Sequence, residues 1–206
     1  RVMLKPSELT PQTSALMASL VHKAFSADEF CVVLGAADVA QAFSQLPFDH
    51  LFFTGSTQVG RQVAAAAAVN LTPTTLELGG KSPCVVDASC DLKDAAIKIA
   101  HGKLLNAGQT CIAPDYVLLP RGREAAFEQA YTQAVARLFP TVSGNPDYAA
   151  IVSERHLARL VTLQDEARAG GARVVDVAPA AGDAGSARQM RPSLVFDPAP
   201  ASRLMN

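Results

Sequence analysis

The chain has 206 residues, of which 49% are apolar and 18% charged, below the ~25% charged of an average globular domain, so much of its surface is expected to be covered. Eighteen Lys and Arg against 19 Asp and Glu leave a net charge of -1, and no basic stripe marks it for nucleic acid. The four cysteines, at positions 31, 84, 90 and 111, form no CxxC pair, which argues against a metal site and a disulfide scaffold and for a reducing, cytoplasmic setting.

In chain order, Val2 to Leu4 reads as a strand halted at Pro6. Thr10-Pro11 reads as an N-cap with proline at the first helical position, and the helix after it carries Leu16, Leu20 and Val21 on one face. Cys31 to Leu34 is a strand, Asp38 to Leu46 a short helix and Leu51 to Thr54 a strand. An alanine-rich helix runs from the Gly55-Ser56 turn to Val69, and Thr74 to Leu78 is a further strand. This alternation predicts an α/β fold of parallel, doubly wound sheets. The double glycine at 79–80 is the predicted boundary between two units, 1–79 and 80–206. In the second, Cys84 to Val86, Tyr116 to Leu119, Val174-Val175 and Leu194 to Phe196 read as strands. Asp91 to Leu105, Arg123 to Leu138 and Ser153 to Ala169 read as helices, the last ended by Gly170-Gly171. Pro179 to Gln189, rich in Ala and Gly, reads as a loop. The longest apolar run, Val63 to Val69, is mostly alanine and too short to cross a bilayer. The opening RVMLKP reads as mid-strand, without initiator Met or signal peptide, and RLMN closes no element; both ends are expected to be cut from a longer protein.

Three motifs carry chemistry. In Phe53-Thr-Gly-Ser-Thr-Gln-Val-Gly60 a strand enters a tight glycine turn that opens a helix. Free N–H groups there attract phosphate and Ser56 adds a hydroxyl; on local pattern alone, a plain turn is the commoner reading. It is neither a P-loop nor a GxGxxG fingerprint. In Thr75-Leu-Glu-Leu-Gly-Gly-Lys-Ser-Pro83, Glu77 lies between leucines. It reads either as an edge-strand carboxylate facing water or as a partly desolvated base suited to proton abstraction. In Asn106-Ala-Gly-Gln-Thr-Cys-Ile-Ala-Pro114, Cys111 follows a helix in a turn bounded by Gly and Pro. A buried, inert cysteine is the usual case, whereas a turn flanked by Gln109 and Thr110 can present a nucleophile. His101 lies too far back to suggest a Cys-His pair. His22, His50 and His156 read as surface or packing residues, and Cys31, Cys84 and Cys90 as small core or near-surface groups.

The ordered set KPSE (Lys5 to Glu8), FTGSTxVG (Phe53 to Gly60), LELGGKSP (Leu76 to Pro83) and NAGQTC (Asn106 to Cys111) resembles the aldehyde dehydrogenase superfamily. LPFDHLFFTGST and GQTCIAPDYVL are most similar to its class 3 branch, which includes bacterial coniferyl aldehyde dehydrogenases. The resemblance implies the later half of a Rossmann-like cofactor domain over 1–79 and the earlier part of an α/β catalytic domain over 80–206. It implies that Lys5 and Glu8 bond the adenosine ribose and that Gly55 and Ser56 meet the pyrophosphate. Val59 would lie beside the adenine, and the Leu78-Gly79 backbone near the nicotinamide. Glu77 is implied as the general base and Cys111 as the nucleophile.

The implied reaction is thiolate attack on an aldehyde, hydride loss to leave a thioester, and hydrolysis by water that Glu77 activates. The Cys111 N–H would be one donor to the oxyanion; the family's other donor, an asparagine, lies upstream of KPSE. The family's EIFGP motif would follow Asn206, and the sheet extension that builds the family's dimer would follow later still. The piece alone is therefore expected to be weakly active or inactive, and the full-length protein a homodimer. NAD is the expected cofactor, because the Glu8 carboxylate repels a 2'-phosphate, though the branch includes members that accept NADP. The expected partner is a small-molecule aldehyde, aromatic and coniferyl aldehyde-like, with a long aliphatic aldehyde as runner-up. No metal, nucleic acid or membrane is expected. Two alternatives stand beside this reading: an acylating relative that forms an acyl phosphate or acyl-CoA, which a hydrolytic Glu77 argues against, and a non-catalytic nucleotide-binding or assembly remnant.

Overall fold

A computed structural model describes residues 1–179 and 188–206; residues 180–187 of the expected Pro179 to Gln189 loop lie outside the described residues. The fold is α/β. The chain divides into two compact units, Arg1–Gly79 and Gly80–Asn206.

The first unit runs β1 (Val2–Leu4), α1 (Pro11–Ala24), β2 (Phe30–Val32), α2 (Ala37–Ser44), β3 (Leu51–Gly55), α3 (Thr57–Ala68) and β4 (Thr74–Leu78). β1 pairs parallel with β2, and β3 parallel with β4, Leu51 opposite Thr74 through Gly55 opposite Leu78. Pro11 opens α1 where the missing N–H costs nothing. Thr10 makes no side-chain cap, and its carbonyl instead takes the Ser14 N–H. The apolar stripe expected of α1 is uncovered: Leu16 and Leu20 are exposed, while Ser14 is buried and donates its hydroxyl to the Ser7 carbonyl at 2.9 Å. α3 instead buries Gly60, Val63 and Ala67 at helical spacing.

The second unit runs β5 (Ser82–Val85), α4 (Leu92–Leu104), a tight turn Leu105–Gly108, β6 (Pro114–Leu118), α5 (Glu124–Leu138), α6 (Glu154–Ala169), β7 (Arg173–Asp176) and β8 (Ser193–Phe196). β5 and β6 are parallel. β7 and β8 are antiparallel, a departure from the uniformly parallel pairing expected. The register brings Arg173 opposite Phe196, with the guanidinium 4.0 Å from the ring centroid, a cation–π contact.

Two helix starts in this unit, those of α4 and α6, follow their caps. Asp91 accepts from the N–H groups of Lys93 and Asp94, and these bonds hold its carboxyl below the usual carboxylate range. Ser153 caps α6 in the same way, through the His156 N–H. The core joins Ala95, Ala96, Ile99 and Ala100 of α4 to Phe127, Tyr131, Ala134 and Val135 of α5; the alanines let the helix axes approach closely. Tyr148 closes this core edge-on to Phe139. Its hydroxyl donates to the Met190 carbonyl, and burial pushes its pKa up to about 12.

Candidate active site

In the first unit, β3 delivers the chain to Gly55 and Ser56. A Cβ on Gly55 would lie 2.5 Å from the tip of the Phe53 ring, so a side chain there would have to displace that ring. Ser56 caps α3 by accepting the Val59 N–H at 3.3 Å. Val59 is exposed beside it, and the first-turn N–H groups of a helix have no intrahelical partners. Gly60 has a role the motif alone did not reveal: a Cβ there would lie 2.7 Å from Leu78 Cδ2, so the missing side chain lets α3 sit close on β4.

Glu77 pairs with Thr54 across the strands, next to Leu78 opposite Gly55. Glu77 is exposed, while Leu76 and Leu78 are half-buried. Strand alternation turns the carboxylate outward, so the partly desolvated environment expected from its leucine neighbours is not what surrounds it. A Cβ on Gly79 would meet no atom within 4 Å among the described residues. Lys5 and Glu8 are brought together: the ammonium, on a side chain only 8% exposed, donates to Glu8 Oε2 at 3.1 Å and to the Pro6 carbonyl. A helix start with a hydroxyl is suited to a phosphate, and a Lys–Glu pair to ribose hydroxyls.

In the second unit, Cys111 sits between α4 and β6. All four thiols are free; Cys111 is exposed, and the other three are half-buried. The approach to it is unusual. Asn106, Ala107 and Gly108 take φ of +51°, +52° and +80°, three consecutive residues in the left-handed region. Reciprocal bonds hold this turn. Gln109 Nε2 donates to the Asn106 carbonyl at 3.0 Å, and Asn106 Nδ2 donates to the Gln109 carbonyl at 3.3 Å. The Gln109 side chain also reaches the segment before α6, donating to the Ala150 carbonyl and accepting the Val152 N–H. A tight turn follows, with the Ala113 N–H on the Thr110 carbonyl. The Cys111 carbonyl faces Gly80, where a Cβ would lie 3.9 Å away.

Sequence reasoning treated Gln109 as a polar flank, although an amide has two donors and an acceptor to satisfy. It assigned nothing to Lys81 or Asp115, which form an ion pair. Among the described residues, no group of three or more His, Cys, Asp or Glu could hold a metal ion, and no helix is long and apolar enough to cross a membrane.

The model of the aldehyde dehydrogenase family matches residues 1–206. A probable coniferyl aldehyde dehydrogenase of Caulobacter vibrioides is 48% identical over 100% of this chain and 43% of its own length. One from Pseudomonas aeruginosa is 57% identical over 85% of this chain and 37% of its own. The chain thus spans less than half the length of these relatives. Among solved structures, a variant of aldehyde dehydrogenase C from Pseudomonas syringae in complex with NAD+ and octanal superposes with a TM-score of 0.84. It is 30% identical, over 99% of this chain and 43% of that one.

Proposed function

We propose, from the premise that the chain belongs to the aldehyde dehydrogenase family, that it carries the thiol and the base of an NAD(P)-dependent oxidation of an aldehyde to its carboxylic acid. Cys111 carries the reading: it is the exposed thiol of the four, on a loop braced at its entry by Gln109. Residues 1–79 then serve the cofactor and residues 80–206 the substrate, in a protein that works as a homodimer.

The roles follow from the chemistry of each group. The Cys111 thiolate adds to the aldehyde carbon, and its backbone N–H donates to the oxygen that takes up the charge. Nicotinamide dinucleotide, when bound, supplies the hydride acceptor that turns the adduct into a thioester. Glu77 takes a proton from water, the water attacks the thioester carbon, and the thiolate leaves as the acid forms. On the cofactor side, the start of α3 with Ser56 receives the pyrophosphate, and Gly55 keeps that approach clear. Val59 would pack beside the adenine, and the Leu78-Gly79 backbone would lie near the nicotinamide. Lys5 and Glu8 hold the ribose hydroxyls, and the Glu8 carboxylate disfavours a 2'-phosphate, so NAD is preferred to NADP. An aromatic aldehyde of the coniferyl type is the proposed substrate, on the names of the relatives.

The test is oxidation of coniferyl aldehyde and of octanal with NAD+ and with NADP+, by a protein that carries this chain within the full length of its relatives. The reading expects acid formation coupled to NAD+ reduction, fastest with the aromatic aldehyde. The 206-residue chain alone is expected to turn over weakly or not at all. Absence of aldehyde-dependent reduction in the longer protein would overturn the reading; faster turnover of octanal would overturn only the substrate class.

A further inference from the structure

We propose that Lys81 and Asp115 are positioning residues for Cys111, a clamp that ties both stems of the cysteine loop to one carboxylate. The inference rests on Cys111 being the reacting thiol. The β5–β6 pairing is regular from Pro83 opposite Tyr116 to Val85 opposite Leu118, but Ser82 lies opposite Pro114. Asp115 is therefore the extra residue of a β-bulge, a device that redirects a side chain out of the strand's alternation. Its redirected carboxylate takes the Lys81 ammonium on Oδ2, and the Lys103 ammonium lies 3.7 Å from Oδ1.

The three groups stand at three different points of the chain. Lys103 lies in the last turn of α4, where the loop departs, and Gly108 folds back on it: a Cβ there would lie 3.2 Å from the Lys103 carbonyl. Asp115 lies on β6, where the loop returns. Lys81 immediately precedes β5, next to Gly80, the residue that faces the Cys111 carbonyl, and also donates to the Leu204 carbonyl at 2.6 Å. Entry, exit and neighbouring strand thus converge on Asp115, whose side chain is 26% exposed. Exposed ion pairs add little stability, but a shared carboxylate at both stems of a loop fixes where its tip stands.

The experiment is peptide-resolved alkylation of the chain by limiting iodoacetamide, with Cys31 of the other unit as internal reference and far-UV circular dichroism to verify folding. K81M and D115N are each expected to slow Cys111 labelling about fivefold. The double variant is expected to be no slower than the slower single, because D115N already removes the contact that K81M removes, and K81R to return the rate to within about twofold. Labelling in both single variants within about twofold of the unsubstituted rate, or losses that multiply in the double variant, would overturn the clamp. If K81M does not fold, D115N, which keeps shape and an acceptor, decides alone. If Cys111 in the unsubstituted chain labels no faster than Cys31, Cys84 and Cys90, the functional reading fails, and the response of Cys111 to D115N still decides the clamp.

Discussion

Gln109 spans two segments with one amide: its Oε1 accepts the Val152 N–H at 2.9 Å while its Nε2 donates to the Ala150 carbonyl at 3.1 Å. The same Nε2 holds Asn106 in the left-handed turn. The two ends of the amide do different work, and substitution separates them. Q109A removes donor and acceptor together and is expected to cost ~1–2 kcal/mol, since water can reach part of the site. Q109E keeps the acceptor for Val152 but turns a carboxylate oxygen toward the two carbonyls, and is expected to cost ~1 kcal/mol more than Q109A. Urea unfolding midpoints at neutral pH measure the order; Q109E as stable as the unsubstituted chain would contradict the donor assignment.

Ala107 pays for its place, because φ of +52° brings a Cβ against the following carbonyl. Glycine adopts that φ without the steric term. A107G is therefore expected to change stability by less than ~1 kcal/mol, although it removes a methyl packed on the core. A100G, at a fully buried right-handed helical position in α4, is expected to cost ~1–2 kcal/mol. A107V is expected to cost ~2 kcal/mol, since a branched side chain tolerates positive φ least. Thermal midpoints of the three variants give the ranking.

The contrast between these alanines also marks what was legible beforehand. Helices and strands were readable because periodicity and caps are local: Asp91 and Ser153 start α4 and α6 where the caps stand. The left-handed turn was not, because Ala107 has no propensity for it and what holds it is the reciprocal bonding of Asn106 and Gln109, with Gln109 also tied to a distant segment. The face of α1 is a related case: Leu16 and Leu20 have the helical spacing but are exposed, because spacing does not say whether anything packs over them. Glu77 and Cys111 stood out by motif. The environment of Glu77 did not, since its leucine neighbours point away from the exposed carboxylate. The Lys81–Asp115 pair depends on a bulge, which shifts register by one residue with no mark in the composition.

His156 gives the second unit a pH dependence with a definite sign. Burial, then the charges of Arg159 and Arg155, hold its pKa below 6.5. A histidine depressed in the folded state binds its proton more tightly when unfolded, so its contribution is complete above 6.5 and is lost as pH falls through the lower folded value. Urea midpoints are expected to fall as the pH is lowered from ~7 to ~5, and H156N is expected to flatten that slope. An equal slope in both chains would remove His156 as the cause.

Gly60 and Leu78 should be energetically coupled. Alanine at position 60 gains ~1 kcal/mol of helix propensity, but its Cβ would meet Leu78 Cδ2 at 2.7 Å, an overpacking cost of ~1–3 kcal/mol. G60A is thus expected to be neutral or destabilising. L78A clears the clash, so G60A added to L78A should stabilise by ~0.5–1 kcal/mol. A G60A effect of the same sign and size in both backgrounds would show that α3 and β4 do not meet at this point.

Cys111 and Glu77 are proposed to act at successive stages, and the first turnover distinguishes them. In the longer protein with NAD+ and aldehyde, C111S should lose both the initial burst of reduction and steady turnover, by about a thousandfold or more, because no other described thiol is exposed. E77Q keeps the strand and its pairing with Thr54 but cannot take a proton from water. Its steady rate is expected to fall about a hundredfold to ten-thousandfold, while the burst survives and an acyl mass accumulates on the Cys111 peptide. A burst lost equally in E77Q and C111S would place Glu77 before the thioester, as the base that ionises the thiol. An E77Q chain with undiminished steady turnover would leave the exposed carboxylate without a part in the reaction.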